Sequence, residues 1–109
     1  MNYPLAGHKI VKTIRELAAR VEKVEQTTRS MCDMWHDGLK KDDICDAICD
    51  WIDKEKPVHT ITTQHVPEHV GEPAYVMKPI IEGNEYYVKV TIVDPGEYRE
   101  KLLIISSHR

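Results

Sequence analysis

The sequence predicts an α+β domain, with N-terminal helices packed on one face of a mainly antiparallel, twisted β-sheet. Up to Pro57 the apolar residues recur at helical spacings of three and four. Beyond Pro57 the chain turns to short runs rich in Val, Ile, Thr and Tyr, separated by Gly, Pro, Asn and Asp. Helices first and strands afterwards is the order of a segregated layer structure.

The first helix is expected over about residues 8 to 26. Ile10, Ile14, Leu17, Val21 and Val24 form its apolar stripe, and Lys12, Arg15, Glu16, Arg20, Glu22 and Lys23 fill its wet side. Glu16 and Arg20 stand at the spacing of an i,i+4 ion pair. A short second helix opens with Thr27 or Thr28 as N-cap, carries Met31, Met34 and Trp35, and stops at Gly38. The third lies in "KKDDICDAICDWIDKEKP". There Asp42 and Asp43 suit the positive helix end, Ile44, Ile48 and Ile52 make one face, Lys54 and Lys56 suit the negative end, and Pro57 closes it.

Strands are expected in "PVHTITTQ", "PAYVMKPII", "NEYYVKVTIV" and "EKLLIISSH". Gly83 and Asn84 look like a tight hairpin turn and "DPGEY" from Asp94 like a longer one, which makes the last three strands an antiparallel meander. In "EGNEYYVKVTIVD", alternation puts Tyr86, Val88, Val90 and Ile92 toward the helices and Tyr87, Lys89, Thr91 and Val93 on the other face. That second face is left for partners or chemistry.

A chain of 109 residues fits one domain, 1–109, and 41% hydrophobic with 30% charged residues is a globular composition. No apolar run reaches membrane-spanning length, and "MNYPLAGHK" lacks the basic-then-apolar order of a signal peptide, so a cytoplasmic location is expected and no membrane partner. Cys32, Cys45 and Cys49 lack the spacing of a disulfide framework and are read as buried free thiols. A net charge of −3 means that any nucleic-acid contact needs a local basic patch. Lys78, Lys89, Arg99, Lys101 and Arg109 could assemble one on the sheet.

Six histidines invite a metal reading, strongest in "QHVPEH", where His65 and His69 flank Glu68. Pro67 spoils the helix that this spacing would need, so no metal site is expected. Acid–base chemistry is the alternative. His59 on the first long strand and His108 at the end of the last exchange protons near neutrality. Cleavage of RNA by its own 2′-hydroxyl needs a base, an acid and donors for the phosphate oxygens, types that His59, His108, Tyr87, Lys89 and Arg99 supply. A G-x-S-x-G elbow and a glycine-rich phosphate loop are both absent.

Several strings converge on one family. "VEQTTRSMCDMWHDGLKKDDICDAI", then "TITT", "KPIIEGNEYYVKVTIVD" and a closing "LLIISSHR" resemble the motility quorum-sensing regulator (MqsR) toxins, from about His8 to the C-terminus. The most specific points are "TTRS", the pair Lys78 and Pro79, and the pattern Tyr87, Lys89, Thr91. A second small-domain family, also RelE-like, resembles the central "DICDAI" region about as well.

The resemblance implies a RelE-like fold and a cofactor-free endoribonuclease (mRNA interferase) of a type II toxin–antitoxin pair, with mRNA as substrate and a cognate antitoxin protein as partner. Carried over by position, the family's tyrosine falls on Tyr87, its C-terminal lysine at or beside His108, and its lysine before the "MTT"-like strand near His59. Its glutamine aligns with Ala74, with Gln64 the nearest glutamine. The expected site is therefore His59, Tyr87 and His108 for catalysis, with Lys78, Lys89, Arg99 and Lys101 for RNA binding. The alternative is a non-catalytic RelE-like binding module, or a degenerate toxin acting through protein contacts.

Overall fold

In a computed structural model, residues 3–62, 72–93 and 100–109 are described. Helices α1 (His8–Ala18), α2 (Thr28–His36) and α3 (Lys41–Asp53) cover one face of a five-stranded sheet. The strands are β1 (Val24–Gln26), β2 (His59–Thr62), β3 (Pro73–Met77), β6 (Tyr87–Val93) and β7 (Lys101–His108), in the order β1-β7-β6-β3-β2. A separate hairpin joins β4 (Ile80–Ile81) to β5 (Asn84–Glu85). All pairings are antiparallel except β1 with β7. The α+β layering and the meander of the last long strands agree with the sequence reading. Among the described residues no helix is long and apolar enough to cross a membrane.

The first helix is shorter than its stripe. Helix α1 ends at Ala18, a 3₁₀ turn takes Val21–Lys23, and Val24 enters the core as part of β1. A spacing of three fits a helix face, but here a parallel strand satisfies the same burial by pairing Val24 with Leu102 and Gln26 with Ile104. With Arg20 outside the helix, the Glu16–Arg20 geometry is lost. Arg15 instead grips Asp53 through two parallel hydrogen bonds of 2.9 and 3.0 Å, tying α1 to α3.

Thr27 is the N-cap of α2. Its hydroxyl accepts from the Ser30 N–H at 3.2 Å and donates to the Ile105 carbonyl at 2.9 Å, so one side chain starts the helix and anchors it to β7. Thr27→Ala is expected to cost about 1–2 kcal/mol, read as a lower urea midpoint at unchanged m-value. A midpoint equal to that of the parent would show that the cap contributes nothing. Gly38, at φ +75°, ends α2 in the left-handed conformation that its lack of a Cβ permits. The β4–β5 turn is centred on Glu82 and Gly83, both at positive φ, one residue earlier than the sequence implied. A two-residue loop of the mirror-image type I kind needs that sign at both central positions.

The core lies between helices and sheet. Ile14, Leu17, Met34, Ile44 and Ile48 meet Val24, Tyr75, Met77, Val88, Val90, Leu102 and Ile104. Cys45 is buried there, and burial pushes its thiol up to about 12, so it stays protonated and packs as a small hydrophobe. Cys49 is half-buried, but Cys32 is exposed on α2, unlike the buried thiol expected.

Candidate functional site

The site is built on the sheet face turned away from the helices. Along β6, Val88 and Val90 enter the core, which puts Tyr87, Lys89 and Thr91 on the other face as the alternation predicted. On β7 a strict alternation from Leu102 and Ile104 would send Ser106 and His108 into the core as well. A β-bulge prevents this. Lys89 pairs with Ser106 but Val90 pairs with Ile104, which leaves Ile105 as an extra residue and reverses the facing of everything after it. Ser107 therefore points to the helices, where its hydroxyl lies 2.7 Å from that of Ser30. His108 falls opposite Tyr87 on the outer face. The two rings stack with centroids 5.4 Å apart and planes inclined by 25°.

Lys89 belongs to a cross-strand row. Its neighbours are Val76 on β3 and Ser106 on β7, and Val76 pairs in turn with His59 on β2. Far from being an exposed cation, Lys89 is 8% exposed. It sits on a central strand where flanking strands close around its stem, a burial that alternation could not announce. Among the described residues no carboxylate or other acceptor partners it. Burial, and then the nearby charge of Arg29 from the first turn of α2, draws its proton affinity below the ordinary lysine range. Thr91 is also buried and satisfied internally, donating to the Pro73 carbonyl at 2.9 Å.

The N-terminal segment closes the β2 edge. Ala6 N–H donates to Val58 O at 2.8 Å, Thr60 N–H to Pro4 O at 2.7 Å, and Leu5 bridges to His59. This edge pairing brings Tyr3 onto the outer face, where it lines two adjoining depressions together with Tyr87. One, of about 280 Å³, is bounded by Trp51, Pro57, His59, Val76, Met77 and Lys78. The other, of about 520 Å³, is bounded by Pro4, Thr60, Ile61, Thr62 and Lys89. Although the chain carries net charge −3, no carboxylate is among the described residues lining either, and Lys78 and Lys89 are their lysines.

No protein-family model, curated protein or solved structure matches this chain. What the site can do is read from its side chains.

Tyr87 is held protonated, its phenol pushed up by burial first and then by the neighbouring Tyr3, so it acts as a hydrogen donor at neutral pH. His108 has its Nδ1 3.1 Å from the carbonyl of Arg109, and His59 has its Nδ1 3.1 Å from that of Tyr3. A carbonyl only accepts, so Nδ1–H is the donor in each and the neutral ring keeps its free lone pair on Nε2. Both histidines thus present a base. They are not side by side, however, since β2 and β7 are three strand spacings apart, about 14 Å.

The expected cations divide. Lys78 and Lys89 line the depressions, whereas Lys101 pairs with Glu25 at 2.9 Å at the opposite end of β7 from His108. Arg99, like His65, His69, Gln64 and the "DPGEY" turn, lies outside the described residues. Tyr3, Trp51 and Arg29 were not foreseen. None stands in a chemical motif: the edge pairing and the placing of α3 bring Tyr3 and Trp51 to one depression, and the start of α2 brings Arg29 near enough to act on the charge of Lys89.

Arg109, next to His108, is tied down by Asp37 at the end of α2. Asp37 receives hydrogen bonds from the Tyr86 hydroxyl at 3.2 Å and Arg109 Nη2 at 3.4 Å, with His36 Nδ1 at 3.6 Å. Burial raises its carboxyl, but Tyr86, Arg109 and His36 together outweigh that and hold it below the usual carboxylate range. A carboxyl held lower in the folded than in the unfolded chain supports folding above its unfolded pKa and loses that support as pH falls through the folded one. Melting temperature is therefore expected to drop on acidification through and below pH 4, and to drop less steeply in Asp37→Asn. Identical slopes in the two proteins would count against the role given to Asp37.

Proposed function

We propose that this protein is a small RelE-like endoribonuclease, the toxin of a type II toxin–antitoxin pair, which cleaves mRNA in the cytoplasm without a metal. The observation that carries the reading is the stacked Tyr87–His108 pair on the same sheet face as Lys89, a buried cation that no acceptor among the described residues neutralises. A buried cation without an acceptor among the described residues is costly, a cost that a bound anion would offset, and a stacked pair of acid–base side chains is suited to proton transfer.

In this mechanism His108 Nε2 takes the proton of a ribose 2′-hydroxyl, and the freed oxygen attacks the adjoining phosphorus. The bond from phosphorus to the 5′-oxygen breaks as the Tyr87 hydroxyl gives that oxygen a proton. Lys89, with Arg29 beyond it, meets the negative charge on the non-bridging oxygens. The products are a 2′,3′-cyclic phosphate and a 5′-hydroxyl. His59, three strands from β7, serves the neighbouring depression instead of the reacting phosphate. The resemblance to MqsR toxins contributes the cognate antitoxin as partner.

Incubation of the purified protein with single-stranded RNA in the presence of a metal chelator is expected to give fragments ending in a cyclic phosphate. The separation of His59 from His108 favours a second reading, a RelE-like module that binds without cutting. RNA retained intact in a stable complex would select that reading over the nuclease.

A further inference from the structure

We propose that the depression beside Trp51 is a nucleobase pocket, serving the base whose own phosphate lies at Lys89, so that a nucleoside monophosphate is the smallest ligand that fills the site. The inference deepens the RNA reading above and rests on it. Two observations carry it.

The first is the division of chemistry across a shared wall. Tyr3 and Tyr87 border both depressions, yet the one reached by Lys89 has a largely buried ammonium-bearing side chain beside Pro4 and Ile61, whereas the other has Trp51, Pro57, Val76 and Met77. An anion suits the former. A flat, weakly polar ring suits the latter, because aromatic and apolar walls favour stacking while excluding free phosphate.

The second is which polar atoms remain free in the apolar depression. Trp51 Nε1–H is spent on the Pro57 carbonyl at 2.9 Å, which fixes the indole and leaves its carbon framework as wall. His59 spends Nδ1–H on Tyr3 O and so keeps an Nε2 lone pair, and exposed Lys78 adds a donor. With the hydroxyls of Tyr3 and Tyr87, these give the pocket both acceptors and donors beside aromatic walls, the combination that the edge and face of a nucleobase require. The pocket is thus set up for the class of ring and leaves the choice of base open. At about 280 Å³ it has room for a nucleobase ring system.

The chain has two tryptophans, and Trp35 is 84% exposed on α2, so Trp35→Phe leaves Trp51 as sole reporter without touching the site. Titrating this variant with adenosine monophosphate, adenosine and inorganic phosphate, with fluorescence and calorimetry in parallel, is the test. The monophosphate is expected to change Trp51 emission and to bind at least tenfold more tightly than phosphate. Tyr3→Ala should weaken the monophosphate about tenfold, since it removes an aromatic wall of the pocket. Lys89→Met should reduce the monophosphate to the level of adenosine. A monophosphate that binds no more tightly than phosphate, or binds without altering Trp51 emission, would overturn the pocket. RNA cleavage combined with a silent Trp51 sinks the pocket alone, and a responsive Trp51 without cleavage sinks the nuclease alone.

Discussion

His108→Ala is expected to lower the rate of RNA cleavage by about 10²–10⁴-fold, the range over which a positioned acid or base acts. The substitution removes the free Nε2 that the proposed mechanism uses as base and the ring that stacks on Tyr87. It should leave the fold in place, because His108 is the last residue of β7, lies on the outer face, and has its Nδ1–H on the adjacent carbonyl of Arg109 and not on a core group. Two accompanying measurements separate chemistry from packing. Added imidazole should restore part of the rate to His108→Ala if a missing base is the defect. His59→Ala should lose RNA affinity more than turnover, because His59 borders the neighbouring depression. Cleavage by His108→Ala at the parent rate would remove the assignment.

Lys89→Met is expected to stabilise the protein while disabling it. Exchanging this buried lysine, which no acceptor among the described residues pairs, for an apolar chain of similar length should add about 1–3 kcal/mol, in keeping with the gains seen when buried ions give way to hydrophobes. In a domain of this size that is roughly 5–15 °C in melting temperature. RNA affinity should fall at least tenfold at the same time. Because the proton affinity of Lys89 is lowered on folding, the unfolded chain binds the proton more readily. The penalty is therefore complete at pH below the folded pKa and fades as pH rises through it, so the advantage of Lys89→Met should shrink toward alkaline pH. Phosphate should raise the melting temperature of the parent more than that of the variant. A variant less stable than its parent at neutral pH would show that Lys89 has a partner in the fold and is not waiting for an anion.

The sequence made much of the fold legible and less of the site. The cap of α2, the acidic first turn of α3, the Ile44–Ile48–Ile52 face and the inward set of β6 were readable because they follow local periodicity and end chemistry. The strand β1 was not, since three residues carry no period and Val24 satisfies helix and strand spacing alike. Tyr87 and Lys89 were found on the correct face, but the burial of Lys89 depends on strands from elsewhere in the chain closing beside it. Tyr3 and Trp51 were invisible for the same reason, as their roles exist only after an edge pairs and a helix is laid across the sheet. His59 and His108 share a residue type and a free nitrogen, yet sheet order sets them three strands apart.

The bulge at Ile105 makes the position of His108 a matter of counting. A protein can gain or lose a surface residue of given chemistry by point substitution, but here a single inserted or deleted codon upstream on β7 would exchange inside for outside over the last residues of the strand. Deleting Ile105 would carry His108 toward the helices and Ser107 toward the open face, with no change in the remaining sequence. A length change at this one strand end is thus a short mutational step between a chain that presents the Tyr87–His108 stack and one that presents only a scaffold.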